Sequence, residues 1–296
     1  MGSALKFLTK NRGYEQFVYF CLMQWLAHLF RFYVKASIHV AFAVIAFLYL
    51  TAQFLNISQD KNLLYFIFFG TIPAYNMIKY GVEGKKFLFR KNITHRSIQI
   101  LSFLALLISL YFGSLISFTT WKGVLVLGFL VGCYALPVFP KKQNLRNLGI
   151  LKIIIVGLVW SGTTVLLPVL EAQIEISWDV WIELLQRFLI ILVLMIPFEI
   201  RDLNYDPKEL HTVPQRFGIR NTRITGILIC FLCFFMTFLK DDLSTVEIYN
   251  KTLIVLSLAA LMIFMPKEQS RYFSSFWVEG FPIFWAIFLW GSLSIY

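Results

Sequence analysis

Nine apolar runs, each about 20 residues long, leave this chain few folds to choose from. A helix of that length rises through the hydrocarbon layer of a membrane, where every backbone amide must find its partner inside the segment. The runs are read at 36–56, 62–82, 97–118, 121–139, 149–170, 178–199, 222–240, 250–266 and 274–295. Composition agrees: 58% of the 296 residues are hydrophobic, only 15% are charged, and the mean hydropathy is +0.71. No water-soluble domain of this size needs so much apolar surface. The expected class is an all-α membrane protein, a bundle of nine transmembrane helices. Ahead of it, residues 14–33, with Trp25, His28 and Arg31, read as an amphipathic helix lying at the interface. The chain therefore divides into an N-terminal segment, 1–35, and one transmembrane domain, 36–296, without internal repeat, low-complexity linker or soluble domain.

The net charge of +11 raises nucleic acid as a partner, but the basic residues sit in short connections between apolar runs. One side collects Lys6, Lys10, Arg12, Arg31 and Lys35, then clusters at 79–96, 141–152 and 201–223, then Lys267 and Arg271. The other keeps Lys61, Lys122, Lys240 and Lys251, beside the acidic Glu171, Glu175, Asp179 and Glu183. A bias of about five to one places the N-terminus in the cytoplasm and the C-terminus outside, and nucleic acid is set aside. The four cysteines all lie in apolar segments, so Cys230-x-x-Cys233 reads as reduced packing rather than a redox pair. The opening residues show neither a cleavable signal pattern nor the Ser or Thr at position six of a myristoylation site. A transporter is disfavoured, because no paired inverted halves and no charged residue near the bilayer midplane are read.

The most informative stretch is Pro197-Phe-Glu-Ile-Arg-Asp-Leu-Asn-Tyr-Asp-Pro207, at the end of the sixth run. Glu199, Asp202 and Asp206 stand at offsets of three and seven, one stripe of a helix. Carboxylates at the edge of hydrocarbon are costly and need a partner. A hard cation such as Mg²⁺, which prefers one or two carboxylates plus phosphate oxygens and water, would serve. A salt-bridged helix end, with Arg201 and Lys208 interspersed, would look similar. Pro197 is expected to kink the helix one turn before the cluster, and Pro207 to end it. A second polar stripe, Asn76, Tyr80 and Glu83, closes the second run, either as a ligand set or as interfacial trim.

Glu199-x-x-Asp202-x-x-x-Asp206, followed by Thr212-Val-Pro214 and Phe217-Gly218, resembles the second aspartate-rich motif of the UbiA superfamily of intramembrane prenyltransferases. There a D-x-x-D-x-x-x-D run precedes a T-L-P-x-x-x-G element. Nine spans with this motif after the sixth are similar to the family, as is Tyr134-Ala-Leu-Pro137 followed by Lys141-Lys142. The resemblance runs from residue 36 onward. It implies Mg²⁺-dependent transfer of a prenyl group from a polyprenyl diphosphate to a lipid-soluble acceptor, with membrane lipids as surroundings. It implies Glu199, Asp202 and Asp206 as metal ligands, and Asp202, Asp206 and Asn76 as catalytic residues. It also implies Lys79, Lys141, Lys142 and Arg146 on the diphosphate. Preorganised cations at the leaving oxygen would lower the barrier to ionisation.

One departure stands out. The family's first motif, N-D-x-x-D-x-x-x-D, would begin at Asn76, but Met77, Tyr80 and Gly84 occupy the aspartate positions, with Glu83 one place early. One carboxylate set could hold one Mg²⁺ but not a symmetric pair, and Lys79 could touch phosphate directly. The same loss fits a relative that binds an isoprenoid lipid without turning it over.

Smaller features are read structurally. Trp160-Ser-Gly-Thr-Thr164 suits close helix packing, and Glu183 with Arg187 forms an i, i+4 pair. Glu279, one turn into the ninth run, is open between a site residue and a water-reaching acid. The basic 84–96 connection, with Lys85, Lys86, Arg90 and Lys91, would attract anionic head groups and could cover a site.

Overall fold

Side-chain caps start three of the helices where apolar runs begin. Asp60 Oδ1 accepts from the Leu63 amide at 2.7 Å, and Ser117 and Ser244 cap the Thr120 and Glu247 amides in the same way. A computed structural model describes residues 20, 22–81, 93–136, 149–207 and 210–294. Ten helices follow in order: α1 Leu22–Lys35, α2 Ile38–Phe54, α3 Lys61–Asn76, α4 Ile93–Gly113 and α5 Phe118–Ala135, then α6 Ile150–Glu171, α7 Trp178–Asp202, α8 Val213–Thr237, α9 Thr245–Phe264 and α10 Phe273–Leu293. No strand occurs among the described residues.

The helix positions follow the apolar runs closely. Seven helices, α4 to α10, are long and apolar enough to cross a membrane, and α1 with α2 makes an eighth if the bent pair is one span. The remaining expected run, 62–82, falls on α3, which continues past Pro73 as a π turn over Met77–Gly81 but is not among the helices long and apolar enough to cross, so the described residues give seven or eight spans rather than nine. The outward faces carry residues such as Phe129, 71% exposed, and Leu125, 67%. Apolar exposure on that scale belongs against lipid rather than water.

α1 meets α2 at 60°, and Ser37, at φ 61°, makes the corner. The described part of the expected amphipathic helix is α1, whose Trp25, Leu26 and Leu29 are exposed while Phe30 packs edge-on against Tyr272, just ahead of α10, and Phe276 of α10. Residues 14–19 and 21 of that expectation lie outside the described residues.

Four apolar clusters fill the interior, two of them larger than the rest. Phe47 and Leu50 of α2 pack with Ile190 and Val193 of α7, Leu258 and Met262 of α9 and Trp285 of α10. Leu48 of α2, Leu63 and Ile67 of α3 and Leu167 of α6 form the second. Since lipid tails are as apolar as leucine, close approach rather than burial holds such helices together. At Gly157 a Cβ would stand 2.8 Å from the Phe188 ring, so α6 and α7 can touch only through a glycine there.

A chain of five buried ions runs through the half of the bundle opposite the end of α7. Arg187 donates to Glu183 Oε1 at 2.9 Å, Lys251 to Glu183 Oε2 at 2.8 Å and to Glu247 at 2.7 Å, and Lys240 to Glu247 at 2.8 Å. Charges alternate along it: cation, anion, cation, anion, cation. Arg187, 0% exposed, also donates to the Phe47 carbonyl and to the hydroxyls of Thr51 and Thr164, and lies 4.2 Å over the Phe47 ring. Two expectations are corrected here. Lys240 and Lys251, read as loop charges, are buried ion-pair partners, because Glu247 sits one turn from Lys251 on α9 and draws it inward. Arg187 lies about 14 Å along a helix roughly 37 Å long, so a charge does stand deep in the bundle. Cys230 and Cys233 are buried free thiols, as read.

Candidate functional site

A cavity of about 520 Å³ opens between α3, α5, α6, α7 and α10. Its walls are apolar, with Phe66, Ile67, Leu127, Val131, Ile155 and Leu194 among them. The charged side chains lining it among the described residues are Lys79, Arg201 and Glu279, grouped at the end where α7 finishes. Each of the three π turns among the described residues delivers part of the wall: Met77–Gly81 brings Ile78 and Lys79, Gly162–Leu166 brings Thr163 and Thr164, and Phe273–Val278 brings Ser275 and Val278. A π turn widens the helix by one residue and redirects its side chains, which is why such turns gather at working sites.

α7 presents the cavity with Ile191, Leu194, Met195, Phe198 and Arg201, spaced 3, 1, 3 and 3. The acidic stripe lies next to this one. Glu199 and Asp206 turn to α6, where Lys152 Nζ stands 2.8 Å from Glu199 Oε1 and 2.9 Å from Asp206 Oδ2. Asp202 accepts both donors of Arg201, at 2.7 and 3.0 Å. None of the three carboxylates lines the cavity. Glu199 is 3% exposed and its Oε2 has no hydrogen-bond partner among the described residues.

The start of α6 fixes Lys152. Gly149 has φ 55°, a backbone closed to other residues, and a Cβ there would lie 2.2 Å from the Leu210 carbonyl oxygen. Gln215 accepts from the Thr212 amide and donates to the carbonyls of Asp206 and Pro207, locking the turn that carries Asp206. α8 then breaks at Gly218, φ 77°. The Thr212-to-Gly218 element is thus a joint that sets Asp206 against Lys152.

The structure separates Asn76 from the acidic residues. Its amide oxygen accepts from Ser37 Oγ at 2.8 Å, and its amide nitrogen donates to the Ala36 carbonyl at 3.0 Å and to Ser102 Oγ at 2.9 Å. It is 1% exposed and ties the corner between α1 and α2 to α3 and α4. Tyr80 donates to the Lys35 carbonyl beside it. Lys79, by contrast, reaches the cavity, where its Nζ lies 5.9 Å from the Tyr75 ring centroid with no hydrogen bond or ion pair among the described residues. Glu83, Lys141, Lys142, Arg146 and the basic residues of the 84–91 connection lie outside the described residues.

Arg201 is the residue that the motif reading passed over, and Glu279 is the acid that the sequence left open. Arg201 was weighed only as a neutraliser of the acidic stripe, yet it extends over the Phe198 ring at 5.1 Å and into the cavity mouth. Glu279 faces it from α10, within electrostatic range of both Lys79 and Arg201, and its buried Oε2 has no hydrogen-bond partner among the described residues. Tyr75 accepts from Trp160 Nε1 at 2.7 Å just inside. Trp160-Ser-Gly-Thr-Thr164 does more than pack helices, because Trp160, Thr163 and Thr164 line the cavity wall.

Whether a divalent ion suits these residues follows from their partners. Among the described residues no three His, Cys, Asp or Glu side chains converge as a metal-holding group. Two of the expected ligands close on an ammonium and the third on a guanidinium. The carboxylates as placed do not fit the expected Mg²⁺.

Neither a protein-family sequence model nor a curated protein sequence matches the chain. Solved structures do. A UbiA homolog from Archaeoglobus fulgidus bound to GPP and Mg²⁺ is similar at TM-score 0.56 and 11% identity, covering 89% of this chain and 99% of that one. The same homolog bound to DMAPP and Mg²⁺ gives 0.56 at 11%, with the same coverage. A UbiA homolog from Aeropyrum pernix K1, in its apo form, gives 0.56 at 12%, covering 87% and 97%. The resemblance read from the acidic motif therefore extends to the whole architecture: the chain has the fold of the UbiA homologs.

Proposed function

We propose that this protein binds an isoprenoid diphosphate in the membrane and passes its prenyl group to a lipid-soluble acceptor. One observation carries the reading: an apolar cavity of about 520 Å³ whose cationic lining residues, Lys79 and Arg201, both stand at one end. A prenyl tail fits the apolar length, and a diphosphate head meets the two cations. The resemblance to structures solved with GPP and DMAPP supports that ligand class. In the transfer, the allylic carbon–oxygen bond breaks and its electron pair leaves on the diphosphate. Lys79 and Arg201 steady that charge as it grows. The acceptor's nucleophilic atom bonds to the allylic carbon, and its proton passes to Glu279, the carboxylate lining the cavity among the described residues. Asn76 and the acidic stripe act as positioning residues, the first through the α1–α2 corner and the second through Lys152 and Arg201. The charge bias of the connections supports a cytoplasmic N-terminus, an interfacial segment over 1–35 and a cytoplasmic mouth.

A second reading is an isoprenoid-lipid binder without turnover, favoured by the occupation of all three motif carboxylates by Lys152 and Arg201. Purified protein incubated with labelled geranylgeranyl or farnesyl diphosphate and a membrane lipid extract decides between them. Diphosphate release that is lost in Glu279→Gln supports transfer. Retained ligand without release supports the binder, and neither binding nor release refutes both.

A further inference from the structure

The carboxylates at the end of α7 already hold a cation, and the chain supplies it. We propose that the ammonium of Lys152 stands in place of a divalent metal, so that the head group of an isoprenoid diphosphate is held by Lys79 and Arg201 without Mg²⁺. This rests on the prenyl-diphosphate reading above.

Three observations carry it. First, each carboxylate already meets a cation of the chain: Glu199 Oε1 and Asp206 Oδ2 accept from Lys152, and both Asp202 oxygens accept from Arg201. Mg²⁺ needs near-octahedral oxygen coordination at about 2.0–2.1 Å and keeps several waters, which this enclosed pair cannot supply while Lys152 lies between. Second, Lys152 is held at the acids. Its side chain is 11% exposed, and α6, which carries it, is fixed at Gly149 against the Leu210 carbonyl. A metal at Glu199 and Asp206 would have to displace the ammonium and leave a largely buried charge without its partners. Third, the cluster and the cavity are different places. The stripe facing Lys152 lies one position round α7 from the stripe that lines the cavity, whereas Lys79 and Arg201 point into it.

The test uses the full chain in nanodiscs and labelled geranylgeranyl diphosphate as probe, titrated once in EDTA and once in millimolar Mg²⁺. The expected result is the same affinity in both arms within about threefold, weakened about tenfold or more in both arms by Lys79→Gln or Arg201→Gln. Binding in Mg²⁺ that EDTA abolishes overturns the inference and leaves the prenyl-diphosphate reading standing. No binding in either arm overturns both. A second measurement needs no lipid: Mn²⁺ titration followed by electron paramagnetic resonance. The native protein is expected to show no stoichiometric site, and Lys152→Gln to uncover one. A stoichiometric Mn²⁺ site in the native protein that Glu199→Gln removes also overturns the inference, and this arm decides even if Lys152→Gln does not fold.

Discussion

Changing Glu183 to Gln tests whether the alternating ion chain holds the bundle together. Glu183 takes Arg187 on one oxygen and Lys251 on the other, at 2.9 and 2.8 Å. Its loss leaves three buried cations facing the single anion Glu247. At an effective dielectric of about 20, each contact is worth about 6 kcal/mol, so about 12 kcal/mol of attraction goes. Several kcal/mol return because a carboxylate no longer has to be desolvated, and a net cost of about 3–5 kcal/mol remains. At about 2–4 °C per kcal/mol, the apparent melting temperature in detergent falls by about 10 °C, read at one scan rate because unfolding of such a protein is irreversible. Adding Lys251→Met removes one stranded cation, so the double variant recovers at least half the loss and the cycle shows a coupling above about 1 kcal/mol. A Glu183→Gln protein melting within about 2 °C of the native one, or a strictly additive double variant, refutes the reasoning.

Other perturbations probe the joints and the cavity. Gly149→Ala forces a side chain to φ 55° and into the Leu210 carbonyl, and is expected to cost about 2 kcal/mol or more by thermal melting; a neutral result would mean that α6 is not pinned there. Asn76→Ala leaves the Ala36 carbonyl and the Ser37 hydroxyl without their partner, which predicts about 2–4 kcal/mol of destabilisation and faster proteolysis ahead of α2. Unchanged melting with lost prenyl release would instead assign Asn76 to the chemistry. Gly128 lines the cavity with nothing within 4 Å of its Cβ position, so Gly128→Leu keeps its melting temperature and binds geranylgeranyl diphosphate about tenfold more weakly than dimethylallyl diphosphate relative to the native protein. Equal weakening of both ligands would move the tail elsewhere.

Much of the fold is legible along the chain because membrane helices announce themselves one at a time. The expected run at 178–199 is α7 from Trp178 to Asp202, and 149–170 is α6 from Ile150 to Glu171. Each boundary depends chiefly on local hydropathy. The deep charges were not legible in the same way. Lys240 and Lys251 look like loop lysines in sequence, and only their meeting with Glu247 and Glu183, carried by different helices, turns them inward.

The acidic motif shows where one-dimensional information stops. Spacing alone establishes that Glu199, Asp202 and Asp206 belong to one end of one helix and that this end is costly to leave unpaired; the motif's resemblance to intramembrane prenyltransferases adds the expected architecture. It does not establish the direction of that stripe, because successive residues on a helix are turned by about 100° and a neighbouring stripe is a single position away. Tertiary packing chose between them. α6, pinned at Gly149, brings Lys152 against the acids, and α3 and α10 bring Lys79 and Glu279 to Arg201 across the cavity. Which side chains confront one another across a bundle depends on the rotation of every helix about its own axis, and those rotations are settled only when the helices pack together.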